Sequence, residues 1–190
     1  MTVLSETSLS PKQRGAIERI SKYKHTVLVA PTGEGKTITC LTAIDRILKA
    51  GKLKRIIVAC PVKVMPVWAR EAKKWEHTKG LIVKVLTGDP ALRSAMLDLP
   101  YIDIIVISLN NLDWLLKQDH GADGIIIDEL SKAAGKQAKG LRSKARGDCF
   151  KWRVGMTATP VSQDFQKLFP MMRIIDKGKS LGTNKADFLN

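Results

Sequence analysis

Six apolar, β-rich runs alternate along this 190-residue chain with stretches whose apolar residues recur at helical spacing. The runs are Thr26 to Ala30, Arg55 to Cys60, Leu81 to Leu86, Ile102 to Ser108, Gly124 to Asp128 and Trp152 to Met156. The helical stretches are Pro11 to Ser21, Thr37 to Ala50, Pro66 to Trp75, Ala91 to Leu97, Asn111 to Lys117 and Asp164 to Met172, with Pro66 at a first helical position and Gly51 at a helix end. Strands this apolar need cover on both faces, and intervening helices supply it. The pattern therefore predicts an α/β fold, a mostly parallel central sheet with helices on both sides. No internal repeat and no long Pro/Ser linker divides the chain, and its length suits one domain, or one domain and a tail.

The first run is joined to its helix by Ala30-Pro31-Thr32-Gly33-Glu34-Gly35-Lys36-Thr37. A loop between a strand and a helix N-terminus brings orphan backbone N–H groups and the positive end of the helix dipole to one point, which suits an anion. Gly33 and Gly35 permit backbone conformations that a side chain blocks, Lys36 can reach outer phosphates, and the Thr37 hydroxyl can ligate Mg²⁺. These are the parts of a phosphate-binding loop, with Ala30 standing where the general pattern has glycine. A nucleotide is the first ligand to consider. The competing account is a Gly-rich turn that caps an ordinary helix.

A second acidic element narrows the choice among nucleotide-binding proteins. Asp128-Glu129 ends the run Gly124-Ile125-Ile126-Ile127, and in an open α/β sheet the carboxyl end of such a strand lies beside the phosphate loop. There Asp128 can hold Mg²⁺ through water, and Glu129 can orient or deprotonate an attacking water. Two acids at a strand end also serve as plain helix caps or solvated turn residues. Val154-Gly155-Met156-Thr157-Ala158-Thr159-Pro160 reads as another buried strand with a hydroxyl-rich, Pro-stopped turn, in which Thr157 and Thr159 can hydrogen-bond the acidic motif.

Net charge is +14 with a pI near 9.9, which favours an anionic partner such as nucleic acid, while acidic proteins and membrane surfaces share that chemistry. Cys40, Cys60 and Cys149 show no Cys-x-x-Cys spacing and read as small core residues of a reducing compartment. His25, His77 and His120 have no mutual spacing suited to a metal. Residues 1 to 10 carry no signal-sequence pattern, and no apolar run approaches membrane-spanning length. The expectation is a cytoplasmic protein, in the host cytoplasm if phage-encoded, with no membrane partner.

In this order the motifs resemble the first RecA-like domain of superfamily 2 helicases and translocases, especially the Swi/Snf-like branch and related phage helicases. Ala30 to Thr37 resembles motif I, Asp128-Glu129-Leu130-Ser131 motif II, and Thr157-Ala158-Thr159-Pro160 motif III. Leu9-x-Pro11-x-Gln13 is similar to the adenine-recognising Q motif, and Cys60-Pro61-Val62 with Trp68 and Glu71 to motif Ia. Val85 to Arg93 and Val106 to Leu112 resemble the next two segments, and Leu168 to Leu189 the stretch after motif III, so the likeness spans nearly the whole chain. It implies ATP on Pro31 to Thr37, with Lys36 on the phosphates, Thr37 and Asp128 on Mg²⁺, Glu129 activating water, and Gln13 reading adenine. It implies coupling through Ser131, Thr157 and Thr159, and nucleic-acid contacts from Lys63, Arg93 and Asn110 in the loops after the Arg55 and Ile102 strands. Motif II reads Asp-Glu-Leu-Ser where many relatives end in His, a departure that puts the usual His contact to motif III in question, and Ser131 could make a shorter one. The family's second RecA-like domain, which carries the arginine finger, does not appear in these residues.

Several residues admit two accounts. Ser10-Pro11-Lys12-Gln13 is also a capping box. Trp68 and Trp75, seven apart on one helix face, suit a core or a domain interface better than a base-stacking platform. The run Lys132, Lys136, Lys139, Arg142, Lys144, Arg146, Lys151 and Arg153, set against the single acid Asp148, is a phosphate track or a solubilising loop. The function expected is the ATP-binding motor domain of a DNA helicase or translocase, with duplex DNA and a second RecA-like domain as partners. The rivals are a standalone DNA- or protein-binding module derived from such a domain and, less well matched, a P-loop kinase or small-molecule ATPase.

Overall fold

The structure is a computed structural model that describes residues 3–134, 139–142, 148–159 and 165–189. The apolar runs form β1 (His25–Val29), β2 (Ile56–Cys60), β3 (Val83–Val85), β4 (Ile104–Ser108), β5 (Gly124–Asp128) and β6 (Trp152–Thr157). They assemble into one six-stranded sheet, parallel at every pairing, in the order β1-β6-β5-β2-β4-β3. The helices that matter for the site are α1 (Pro11–Lys22), α2 (Lys36–Lys49), α3 (Met65–Lys74) and α4 (Pro90–Leu97).

Strand alternation divides the core between the two faces. In β2 the side chains of Ile56, Val58 and Cys60 join one cluster with Ile17, Ile20, Leu41, Ile44 and Trp68 from α1, α2 and α3. Ile57 and Ala59 join the other, under the helices Leu112–Leu115 and Leu168–Asp176. Every residue of β2, β4, β5 and β6 is buried, as covering on both sides requires.

β1 differs from the expectation of a buried strand. It pairs with β6 on one side and, among the described residues, with no strand on the other, so His25 to Leu28 are half-buried and Val29 is 49 % exposed. Other boundaries move by a residue or two because helix and strand ends are set by hydrogen bonding rather than by apolar pattern. Pro66 takes the second position of α3, after Met65, where its missing N–H costs equally little. The final long helix runs Leu168–Asp176 rather than from Asp164, which lies outside the described residues.

Two buried arginines tie down the amino ends of the strands. Arg55, before β2, donates to the carbonyls of Ile102, Leu97, His120 and Leu99, tying the approaches to β4 and β5 onto β2. Arg153, 1 % exposed in β6, donates to Leu141 O at 3.3 Å and Ile174 O at 2.6 Å, and burial lowers its pKa. Arg153 is thus a core clamp and not part of an exposed basic track.

Candidate nucleotide site and comparison with known proteins

The loop after β1 curls as its glycines allow. Gly33 has φ 89° and Gly35 φ 72°, the left-handed region where a side chain is strained. A Cβ on Gly35 would also stand 2.3 Å from Gln13 Nε2. Gly35 is the N-cap of α2 and offers no side-chain cap, so the first N–H groups of the helix remain open to a ligand. Lys36 folds back and donates to Ala30 O at 2.7 Å and Pro31 O at 2.9 Å. Pro31, Thr32, Gly33 and Glu34 are exposed and Thr37 is half-buried.

Gln13 completes the expected capping box and also reaches the phosphate loop. Its Oε1 accepts from Ser10 N at 2.8 Å while its own N–H reaches Ser10 Oγ at 3.2 Å, a complete capping box. Its Nε2 donates to Glu34 O at 3.4 Å, so the cap also touches the loop. Together these residues border a pocket of about 330 Å³ that includes Ser10, Gln13, Leu28, Ala30 and Lys36.

Register brings the acids to the same edge. Val29 pairs with Thr157, and Asp128 with Met156, so the carboxyl ends of β1, β6 and β5 lie side by side. Asp128 is only 7 % exposed, and its pKa is pushed up to about 6, chiefly by burial and then by the charge of Glu129. The Trp68 indole, the Glu129 backbone N–H and the Lys36 ammonium act the other way. Glu129 adopts φ 59° and ψ 52°, costly for a non-glycine residue, and pairs with Lys132 at 3.6 Å. Ser131 accepts from Thr157 Oγ1 at 3.3 Å, and Thr157 Oγ1 in turn accepts from Thr159 N at 3.1 Å. The structure thus links the acidic motif to the hydroxyl-rich turn, whose Pro160 lies outside the described residues.

Two buried thiols, Cys40 and Cys60, lie within electrostatic reach of Asp128. Cys40 Sγ is 3.2 Å from Met156 Sδ, and burial raises the thiols of Cys40 and Cys60, the latter to about 12. Both are protonated core groups at neutral pH, whereas Cys149 is exposed.

The nucleic-acid candidates divide. Lys63, in the turn Val62–Val64 after β2, and Asn110, in the turn Leu109–Asn111 after β4, are exposed at the carboxyl end of the sheet, on the flank away from β1. Arg93 is 7 % exposed, with its guanidinium 4.3 Å from the centroid of the Trp114 ring and its Nε donating to Asp89 O. That stacking keeps it from being the exposed phosphate ligand its sequence position suggests. Of the basic run, Lys132 and Lys151 are exposed, while Lys136, Lys144 and Arg146 and the side chains of Lys139 and Arg142 lie outside the described residues.

Among the described residues no group of three or more His, Cys, Asp or Glu could hold a metal ion. The buried Asp128 carboxylate, with Glu129 next to it and within electrostatic reach of Lys36 at the start of α2, fits Mg²⁺ of the kind that is held by one or two protein oxygens and by phosphates. Among the described residues no helix is long and apolar enough to cross a membrane.

The fold and the site together define a RecA-like α/β domain with a candidate nucleotide site at the carboxyl end of its sheet. The family described as Type III restriction enzyme, res subunit, matches residues 6–162, and the chain belongs to it. It is 28 % identical over 184 residues to "Putative protein p41" of Acyrthosiphon pisum secondary endosymbiont phage 1, covering 90 % of this chain and 40 % of that protein. It is 23 % identical over 168 residues to "DNA repair and recombination protein RAD54B" of Gallus gallus, covering 84 % and 18 %. The fold matches the Sulfolobus solfataricus SWI2/SNF2 ATPase core in complex with dsDNA with a TM-score of 0.73 at 22 % identity, over 95 % of this chain and 38 % of that one. The chain thus spans two-fifths or less of the length of each of these proteins.

Proposed function

We propose that the chain is the ATP-binding first RecA-like domain of a DNA helicase or translocase, which hydrolyses ATP when a second RecA-like domain, in a longer or a separate chain, completes the cleft. The observation that carries this reading is the convergence of the glycine loop, Asp128-Glu129 and the Ser131–Thr157 hydrogen bond at the carboxyl ends of β1, β5 and β6. Residues 1–190 form a single such domain in this reading.

ATP binding displaces Lys36 from the Ala30 and Pro31 carbonyls onto the outer phosphates, and the open N–H groups of α2 take the remaining charge. Gln13, already against the loop, is placed to read adenine. Thr37 and Asp128 would hold Mg²⁺, which when bound neutralises charge on the phosphates. Glu129 orients the attacking water and takes its proton as the new P–O bond forms and the bond to the leaving ADP oxygen breaks. Thr157, hydrogen-bonded to Ser131, passes a change at the acids into the turn that follows β6. Duplex DNA is the partner favoured by the charge of +14 and by the DNA-bound fold relative, with Lys63 and Asn110 as contacts on the far flank of the carboxyl end.

The test is ATP turnover by this chain with and without duplex DNA, beside Lys36→Ala and Glu129→Gln. The expected result is nucleotide binding that depends on Lys36, with turnover low, since an arginine finger contributes roughly 10³ to 10⁵ in rate. Adding the second domain restores DNA-stimulated turnover in the wild type and not in Glu129→Gln. DNA binding and biological effect that survive Lys36→Ala unchanged would mean that the chain is a binding module instead.

A further inference from the structure

We infer that the concavity at the amino ends of β1, β2 and β6 is a docking site for an acidic protein segment that carries one bulky apolar side chain. It lies at the opposite end of the strands from the candidate nucleotide site and shares no lining residue with it. The connection from α1 to β1 supplies Tyr23 and Lys24, that from α2 to β2 supplies Lys52 and Leu53, and Lys151 and Trp152 stand at the start of β6. The volume is about 340 Å³, enough to take a ligand group.

The floor is apolar and the rim cationic. Ile47, Leu53 and Trp152 are each less than a tenth exposed, and the indole N–H of Trp152 is already bonded to Ile20 O at 3.0 Å. The floor therefore suits an apolar group and offers little to a polar one. Lys22, Lys24, Lys52 and Lys151 are exposed around it, and among the described residues no acid lines it. Of the four, Lys151 alone pairs with a carboxylate among the described residues, Asp123 at 3.8 Å. The Lys22 ammonium instead lies 5.6 Å from the centroid of the exposed Tyr23 ring. Like charges gathered round one pocket repel each other, and an anionic partner relieves that repulsion. A nucleic-acid backbone would meet the same cations, and the floor decides against it. Phosphates on the outside of a duplex would leave an apolar pocket empty, whereas an acidic peptide can seat a phenylalanine or leucine there while its carboxylates meet the lysines.

The experiment follows the fluorescence anisotropy of a labelled peptide, Asp-Glu-Asp-Phe-Glu-Asp-Glu, titrated with the full chain in about 0.15 M salt, where distant charges are screened. The same peptide with glycine in place of phenylalanine is the reference, and the phenylalanine peptide should bind about tenfold tighter or more. Lys24→Glu combined with Lys52→Glu should weaken it by about tenfold. Lys73→Glu combined with Lys117→Glu, at two exposed lysines outside the pocket, should weaken it by less than about twofold. Lys36→Ala should bind it as the wild type does, so this inference and the nucleotide reading stand or fall separately. Equal binding of the two peptides, no saturable binding of either, or an equal loss in the two double variants overturns the inference. A single-stranded or duplex oligonucleotide of matched charge that binds tighter than the phenylalanine peptide, and loses that affinity in Lys24→Glu with Lys52→Glu, overturns it in favour of a nucleic-acid site. If the double variants do not fold, the ¹⁵N spectrum of the wild type decides. The phenylalanine peptide should move the amide resonances of Lys24, Lys52 and Trp152 and leave those of Gly33 and Gly35 in place, and stationary pocket resonances overturn the assignment.

Discussion

The two ends of one sheet handle buried charge in opposite ways. At the amino end, Arg55 and Arg153 are enclosed and turn their guanidinium groups onto backbone carbonyls that no ladder uses, so charge and carbonyl satisfy each other. At the carboxyl end, Asp128 is enclosed with its pKa driven up, Glu129 sits in a strained backbone conformation, and α2 begins without a side-chain cap. At Arg55 the partners all come from the protein's own backbone. The carboxyl end leaves donors and a carboxylate for which a phosphate and a cation are the natural complement. In its buried charge the fold thus concentrates stability at one end of the strands and unspent binding capacity at the other.

The comparison breaks hardest at Arg55. Truncation to alanine strips four carbonyls of their donor in a buried layer, and the expected loss is about 3–5 kcal/mol of unfolding free energy, read by urea denaturation. Nucleotide affinity of the molecules that remain folded should not change, because none of the four carbonyls borders the phosphate loop. A next and opposite result is expected at Lys36. Its ammonium bonds only two loop carbonyls near the surface, so Lys36→Ala should cost under about 1 kcal/mol of stability. Nucleotide affinity should fall by roughly 2–5 kcal/mol, measured by calorimetry, as expected when one partner of a hydrogen-bonded charge pair is removed. A Lys36→Ala protein that loses stability and affinity together would erase the distinction between the ends.

How far each end was legible beforehand follows from how local its cause is. The run from Gly124 to Glu129 announces both a buried strand and its acidic terminus, because a string of isoleucines can end in two carboxylates only where the strand leaves the core. The glycine loop is legible for the same reason, since positive φ at Gly33 and Gly35 is a backbone requirement written in the residue type. The edge position of β1 is not, because strand order depends on β6, which lies more than a hundred residues away in sequence. Arg93 and Arg153 read as candidate phosphate contacts until tertiary contacts with Trp114 or with distant carbonyls enclose them. The Ser131–Thr157 contact was open to sequence reasoning because a missing motif histidine left only a short hydroxyl in reach.

The smallest effect sharpens the comparison through pH. The pKa of Asp128 in the fold lies near 6, above its ordinary value of 3.8, so ionisation weighs against the folded state. Its favourable contribution is present in full below pH 3.8 and is lost as pH rises through 6. Asp128→Asn, which keeps the shape and cannot ionise, should therefore be more stable than the wild type at pH 7, by about 2–3 kcal/mol, because each tenfold change in proton affinity is worth about 1.4 kcal/mol. The advantage should shrink from pH 6 downward and vanish near pH 4. The three histidines act in the other sense: burial lowers each pKa, so their contribution is present above about 6.5 and fades as pH falls below it. They titrate alike in both proteins and cancel in the difference between the two denaturation curves, taken without nucleotide or Mg²⁺. A gap that stays constant from about pH 7 to about pH 4 would show that Asp128 is as well satisfied by its surroundings as Arg55 is by its own, and the two ends of the sheet would no longer differ in kind.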